Sequence, residues 1–126
     1  MDVKTDPRNV YAACVIALTK NKCMKRRDLR RWINDRLGMD LAHLDLGVVD
    51  DRSLRKAVSY CIRKSIMPVI LSSSDNKSGG YYLSSDPDVI KAAADQLKSR
   101  ICVLAERYKH LMIAYRTRRG QLSLFP

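Results

Sequence analysis

The chain has 126 residues, enough for one compact domain and an additional segment. Its 24 Lys and Arg residues outnumber its 13 Asp and Glu residues, so the formal net charge at pH 7 is +11. A chain this basic repels itself, and a polyanion such as DNA or RNA is the simplest explanation because it neutralises the excess charge. An anionic membrane surface explains the charge less well, since no basic amphipathic helix with a large aromatic face is evident.

The N-terminus and the cysteines exclude further classes. The first residues lack the basic-then-apolar pattern of a signal peptide, and no apolar run approaches the roughly 18 residues that span a membrane. The cysteines are far apart, form no CxxC pair and lie at no zinc-finger spacing from either histidine. We interpret them as small buried hydrophobes in a reducing cytosol, with a zinc site or a disulfide as less favoured alternatives, and we expect no metal and no cofactor. The residues concerned are Cys14, Cys23, Cys61, Cys102, His43 and His110.

Hydrophobic spacing predicts three helices in the first half of the chain, over residues 8–20, 26–37 and 51–65. Asp50 or Asp51 is a suitable cap for the third of them. The stretch between the second and third helices has no firm period and is predicted to be a loop. The expected buried residues are Val10, Cys14, Ala17 and Leu18 in the first helix, Leu29, Trp32, Ile33 and Leu37 in the second, and Leu54, Ala57, Val58, Cys61 and Ile62 in the third.

The period then changes from helical to extended. Two short apolar runs, residues 67–73 and 81–84, are separated by a segment of Ser, Asp, Asn, Lys and Gly, residues 74–80. Short apolar runs on both sides of such a segment predict a β-hairpin with a long tip.

A last helix is predicted from Pro87 to about Arg118, with Ser85 or Asp86 as its cap and a length of about 48 Å at 1.5 Å per residue. Its apolar residues alternate at spacings of four and three, which is the a/d seam of a heptad repeat and is typical of a coiled coil. We expect the seam to pair with a second copy, antiparallel rather than parallel because the flanking positions carry like charges; packing on the chain's own first domain is the alternative. The seam residues are Ile90, Ala94, Leu97, Ile101, Leu104, Tyr108, Leu111 and Tyr115, and the basic flanks are Lys98, Arg100 and Arg107.

Three helices followed by a hairpin are the order of a winged helix-turn-helix domain. The segment 50–58, with 72–74 and 79–83 after it, resembles small winged-helix proteins of bacteriophages and prophages, and the resemblance covers residues 8–85. It implies that the third helix enters the major groove of DNA and that the hairpin tip contacts the flanking backbone or the minor groove. The expected fold is therefore mainly α with a small β-hairpin: a winged helix-turn-helix nucleic-acid-binding domain in residues 1–85, a long coiled-coil helix in 86–118 and a tail in 119–126.

Basic residues concentrate on the helices that this resemblance assigns to DNA. Arginine can donate two hydrogen bonds to guanine N7 and O6, and lysine is suited to phosphate. The alternative is a solvated surface, but such a helix face normally interleaves Glu with Lys and Arg. The predicted DNA contacts are Arg52, Arg55, Lys56, Ser59 and Arg63 on the third helix, Lys77 at the hairpin tip, and Lys25, Arg26, Arg27, Arg30 and Arg31 along the adjacent backbone.

The C-terminal residues resemble the short peptide with which bacterial polymerases and repair factors bind the DNA sliding clamp. The peptide consists of Gln121, Leu122, Ser123, Leu124 and Phe125. The resemblance implies that the three apolar side chains fill a pocket on the clamp, that Gln121 donates or accepts hydrogen bonds at its edge, and that Gly120 releases the peptide from the helix. A tail that folds back on the domain is the alternative.

No catalytic set is evident, since the chain has no Walker loop, GxSxG or HExxH motif, and Asp45, Asp50 and Asp51 are too loosely grouped for a two-metal nuclease. We therefore expect a DNA-binding protein of a phage or mobile element, not an enzyme. This protein is expected to dock on the sliding clamp of the host polymerase and to act in or on DNA replication. Its expected location is the bacterial cytoplasm and nucleoid. The alternatives are a dimeric winged-helix transcription regulator and an interaction module whose basic face binds RNA or an acidic protein.

Overall fold

The structure, a computed structural model, describes residues 6–73 and 79–124. They form a mainly helical fold with a small three-stranded antiparallel sheet and a long C-terminal helix. The chain divides into two compact units, Met1–Pro87 and Asp88–Pro126. The elements in chain order are α1 (Pro7–Asn21), β1 (Cys23–Met24), α2 (Arg26–Asn34), α3 (Asp51–Arg63), β2 (Val69–Ser73), β3 (Gly80–Ser84) and α4 (Pro87–Leu124).

Helix α1 begins and ends where the sequence predicts. The carboxylate of Asp6 accepts a hydrogen bond from the backbone N–H of Arg8 at 2.9 Å, and Pro7 occupies the first turn, where its missing N–H costs nothing. Lys22, at φ +60°, ends the helix. The predicted buried face is confirmed and includes one more small residue: Val10, Ala13, Cys14, Ala17 and Leu18.

Helix α2 is shorter than predicted, since it ends at Asn34 instead of at residue 37. Beyond it, i→i+3 bonds such as the one from the Arg36 N–H to the Ile33 carbonyl replace the helical pattern. The Asn34 side chain then fixes the following loop: its amide donates to the Val49 carbonyl at 3.0 Å, and its oxygen accepts from the Val49 N–H at 2.8 Å. This pair of bonds positions the chain just before α3 begins. Two of the expected core residues, Trp32 and Leu37, are only half-buried.

Helix α3 is capped by Asp50, whose Oδ1 accepts from both the backbone N–H and the hydroxyl of Ser53, each at 2.8 Å. These bonds favour the charged form and lower the pKa of the Asp50 carboxyl. The helix ends at Arg63, two residues before the predicted end. Its buried residues include Leu54, Ala57 and Cys61 as predicted, whereas Val58 is half-buried and Ile62 is 49 % exposed, so the predicted buried stripe was too wide.

The sheet contains the predicted hairpin and one strand that the sequence did not predict. Strands β2 and β3 pair antiparallel, and the two-residue β1 adds to the free edge of β3, giving the order β1-β3-β2. Gly80, at φ +146°, permits this addition because a Cβ there would collide with the Met24 carbonyl and lie 2.8 Å from the Lys25 nitrogen. Residues 74–78 of the predicted tip, including Lys77, lie outside the described residues.

Helix α4 runs for 38 residues to Leu124, so the predicted end near Arg118, with Gly120 releasing the tail, is wrong. Glycine in a helix interior costs only about 1 kcal/mol relative to alanine, which favourable neighbours can offset. Here the Arg119 guanidinium donates to the Tyr115 hydroxyl, one turn back along the helix, at 2.9 Å. Among the described helices, none combines the length and apolar character needed to cross a membrane.

Candidate nucleic-acid interface

One side of α3 carries a continuous set of basic and hydroxyl side chains, here called the α3 basic face. At 100° per residue, its five positions fall within an arc of about 100°, and all five side chains are exposed. No Asp or Glu occurs between residues 52 and 63, so nothing on this arc offsets its positive charge. The face consists of Arg52, Arg55, Lys56, Ser59 and Arg63.

The opposite side of α3 is anchored in the core of the first unit. Leu54, Ala57 and Cys61 are buried, and α3 packs against α1 and β2. The Cys61 thiol donates to the Val58 carbonyl at 3.1 Å and accepts from the Ile70 N–H at 3.5 Å, which ties the helix to the strand that follows it. The helix that carries the α3 basic face is therefore held in place by the contacts on its opposite side.

Burial keeps two of the thiols neutral. It raises the pKa of Cys14 to about 12 and also raises that of Cys61, because both charged forms would be poorly solvated. Cys23 and Cys102 are exposed, which corrects the expectation that all four cysteines are buried. In residues 6–73 and 79–124, no three His, Cys, Asp or Glu side chains form a group that could hold a metal ion.

The basic residues near and on α2 do not form one surface. Arg26 and Arg30 both approach Asp51 at the start of α3, with their nitrogens 3.5 Å and 3.2 Å from its Oδ1. These two arginines thus connect α2 to α3, and part of their charge is neutralised there. Lys25, Arg27 and Arg31 are exposed, and the last two lie about 100° around α2 from the pair that faces Asp51. The Asp51 ion pairs are tertiary contacts that periodicity does not reveal.

Sequence reasoning also missed a cation–aromatic cluster on the half-buried Trp32. The guanidinium carbon of Arg36 lies 3.9 Å from the ring centroid, and Lys20 Nζ lies 5.9 Å from it. Arg36 also donates to the Trp32 carbonyl at 3.0 Å. The i,i+4 spacing of tryptophan and arginine within the predicted helix, residues 26–37, was the signal that could have indicated this contact. The stacked Arg36 covers an aromatic face that would otherwise meet solvent.

The C-terminal peptide is described in part. Gln121 and Leu122 belong to α4, Leu122 is 57 % exposed, and the Arg118 guanidinium lies 3.5 Å from Gln121 Oε1, at the limit of a hydrogen bond. Ser123 and Leu124 are the last helical residues, while their side chains and all of Phe125 lie outside the described part of the chain. The peptide thus begins inside a helix instead of in a released tail.

The chain matches no protein-family model, no curated protein and no solved structure. Inferences about its function therefore come from the surfaces of the chain itself. The two that stand out are the α3 basic face and the exposed apolar residues of α4 that lead into the C-terminal peptide.

Proposed function

We propose that the chain is a winged-helix DNA-binding protein that inserts α3 into the major groove. The observation that carries the proposal is the α3 basic face: four cations and one hydroxyl on a single exposed arc, with no acidic residue among them, on a helix buried along its other side. The three helices and the antiparallel β2–β3 hairpin are in the order that a winged helix-turn-helix domain requires.

The dimensions of α3 suit this use. Its 13 residues span about 20 Å, and the major groove, about 12 Å wide, admits an α-helix. Arg55, at one edge of the arc, can read a guanine edge with two hydrogen bonds, while Lys56 and Arg63, toward the other edge, are placed to neutralise phosphates. Lys25, Arg27 and Arg31 extend the contact along the backbone, whereas Lys77, which the sequence predicts to do the same, lies outside the described residues. Arg26 and Arg30 contribute mainly by holding α2 against Asp51.

DNA binding is tested by replacing Arg55 and Lys56 with alanine and measuring affinity for duplex DNA at several salt concentrations. Each phosphate that the chain neutralises contributes about −0.9 to the slope of log K against log salt, so loss of Lys56 should make the slope shallower by about 0.9, and loss of the Arg55 base contact should lower the affinity further. The matched control replaces Lys109 and Arg116 on α4, which removes the same residue types and the same charge. An unchanged slope in the α3 variant, or an equal loss in both variants, contradicts the role of the α3 basic face.

The second half of the proposal concerns the C-terminal peptide, Gln121–Phe125, which we assign to the sliding clamp of a host polymerase. Its support is the resemblance of the five residues together with the exposure of Leu122. Two attachments on one chain, to DNA and to the clamp, reinforce each other through effective concentration. Such a chain acts at DNA replication for a phage or mobile element, either by recruitment or by occupying the clamp against host polymerases.

Binding of this peptide to one pocket requires the end of α4 to unwind. A helix turns by about 100° per residue, so side chains two residues apart cannot both enter a pocket on one side of it. Gly120 lies where unwinding would begin and weakens the last turns by about 1 kcal/mol relative to alanine. Calorimetric titration of a purified bacterial clamp with the intact chain, and with a chain ending at Gly120, tests the assignment. Binding that the truncation abolishes supports it, and absence of binding by the intact chain refutes it.

A dimeric transcription regulator is the second candidate, and the apolar stripe of α4 from Ile90 to Tyr115 favours it. A palindromic operator is read by two recognition helices about one DNA turn apart, which requires two copies of the chain. In that case the chain lacking residues 121–126 would bind its operator as well as the intact chain, and neither would bind the clamp.

A further inference from the structure

The exposed apolar stripe of α4 extends further than the sequence predicted. Because the helix continues past Gly120, the alternating spacing of four and three runs on from Tyr115 through Arg118 to Leu122. Seven of these side chains expose more than half of their surface. The stripe, here called the α4 seam, consists of Ile90, Ala94, Leu97, Ile101, Leu104, Tyr108, Leu111, Tyr115, Arg118 and Leu122, and the seven are Leu97, Ile101, Leu104, Tyr108, Leu111, Tyr115 and Leu122.

We propose that a second copy of this chain covers the α4 seam in an antiparallel pair, and that the pair holds Leu122 so that dimerisation and presentation of the C-terminal peptide exclude each other. The pairing of two copies is independent of the function proposed above. The mutual exclusion of dimerisation and clamp binding rests on that proposed function. The same leucine serves two partners, which makes the monomer the form that binds the clamp.

The antiparallel direction follows from which side chains would meet in the core of the pair. In antiparallel coiled coils an a residue faces a d residue, so each large seam residue meets a different one. In the parallel direction Tyr108, Tyr115 and Arg118 would each meet its own copy, and two guanidinium groups would share the core near the C-terminus. The antiparallel layers, centred between residues 104 and 108, are Leu104 with Tyr108, Ile101 with Leu111, Leu97 with Tyr115, Ala94 with Arg118, and Ile90 with Leu122.

The last of these layers is the one that reaches the C-terminal peptide. It exists only because α4 continues past Gly120, since a helix that ended near residue 118 would leave Ile90 without a partner. A peptide whose first leucine is packed in that layer remains helical. It therefore cannot present its apolar residues to a single pocket, because that requires the last turn to unwind.

The area of the α4 seam is sufficient for a stable pair. Each exposed leucine-sized or tyrosine-sized side chain covers on the order of 100 Å² of apolar surface. The fourteen such side chains of two copies would bury roughly 1,400 Å², within the range of about 1,200–2,000 Å² for specific interfaces. Ala105 and Met112 on one flank of the seam widen its apolar centre.

The charges of α4 give the pair a distinctive dependence on salt. The helix carries eight Lys and Arg residues against three Asp and Glu residues, and neither flank of the seam has an acidic residue between Lys91 and Leu122. Two copies therefore repel each other, and the repulsion is screened as the Debye length falls from about 10 Å at 0.1 M salt to about 3 Å at 1 M. Salt should strengthen this pair, whereas it would weaken binding to an acidic helix or to DNA.

Distance measurement between spin labels tests the pairing and its direction without disturbing the seam. A single label at Ala92→Cys, on the outer side of α4, is introduced into the full chain with Cys23 and Cys102 replaced by serine, while the buried Cys14 and Cys61 are kept. In the antiparallel pair the two labels are separated by about 28 residues along the axis, or roughly 42 Å. A distance near 20 Å indicates a parallel pair and overturns the register, and absence of any coupling at high salt overturns the pairing.

Two matched variants test the exclusion. Leu104→Glu places a charge at the centre of the seam, and Val103→Glu places the same charge on a neighbouring residue outside it; both side chains are more than half exposed. At concentrations where nine chains in ten are paired, Leu104→Glu should bind the clamp about ten-fold more tightly than the wild type, since the apparent dissociation constant scales inversely with the competent fraction. Val103→Glu should leave both pairing and clamp affinity unchanged. Equal clamp affinity of the paired wild type and the monomeric variant refutes the exclusion, whereas no clamp binding by any chain refutes the proposed function and leaves the pairing intact.

Discussion

Gly80→Ala is the substitution whose cost can be worked out most directly from the structure. An added Cβ would collide with the Met24 carbonyl and lie 2.8 Å from the Lys25 nitrogen, and both are backbone atoms that cannot rotate away. The φ of +146° adds a backbone penalty for any residue with a side chain, about 1–3 kcal/mol. Relieving the collision costs about 1–3 kcal/mol more. The free energy of unfolding should therefore fall by roughly 2–6 kcal/mol, a large part of the 5–15 kcal/mol typical of a domain.

The assay is urea or thermal unfolding followed by fluorescence of Trp32, the only tryptophan, which reports on the unit that contains the sheet. Gly120→Ala is the matched control, since it is the same substitution at a helical glycine with nothing within 4 Å of the added carbon. It should leave unfolding of the first unit unchanged. If Gly80→Ala alters the unfolding free energy by less than about 0.5 kcal/mol, the close approach of β1 to β3 is wrong.

Three further outcomes are expected. Asp50→Ala should lower the melting temperature by a few degrees through loss of the α3 cap, whereas Asp50→Asn should retain the cap. Because folding lowers the pKa of Asp50, its charged carboxylate contributes its full stability above the ordinary pKa, near 4. This stability is lost as the pH falls through the lowered pKa. A pH series of melts should show the loss for the wild type and not for the asparagine variant. Asn34→Ala should lower the unfolding free energy by about 1–3 kcal/mol, measured by urea titration, because it leaves the N–H and carbonyl of Val49 without their partners. Gly120→Ala should weaken clamp binding about five-fold, measured by calorimetry, because the last turns of α4 become about 1 kcal/mol harder to unwind; tighter binding would contradict the unwinding step.

The parts of the fold that the sequence predicted are those where periodicity decides the structure. The apolar residues of α1 and α3 recur every three or four positions, and a change to short apolar runs identified the hairpin. Strand β1 has two residues and thus no period, so only its pairing with Tyr81 and Tyr82 reveals it. Helix α2 ends earlier than the sequence predicts, and α4 ends later. After Asn34 the chain turns to meet Val49, a tertiary contact, whereas at Gly120 the penalty for a helical glycine is too small to end a long helix.

For the candidate site too, some features follow from the sequence and others do not. The positions of the α3 basic face follow from a helical wheel, and their exposure follows from the buried stripe on the other side of the helix. The separate role of Arg26 and Arg30 does not follow, because their partner Asp51 is more than twenty residues away in sequence. The contact of Arg36 with Trp32 lies within one turn of chain and could have been anticipated.

The most direct test of the central claim is the salt dependence of binding between the intact chain and a fluorescent DNA duplex. If the α3 basic face and the exposed cations near and on α2 together neutralise at least four phosphates, the affinity should fall at least about 150-fold between 50 and 200 mM salt, a slope of about −3.6 or steeper. An affinity that does not change with salt, or no binding even at 50 mM, would contradict the assignment of this face to nucleic acid.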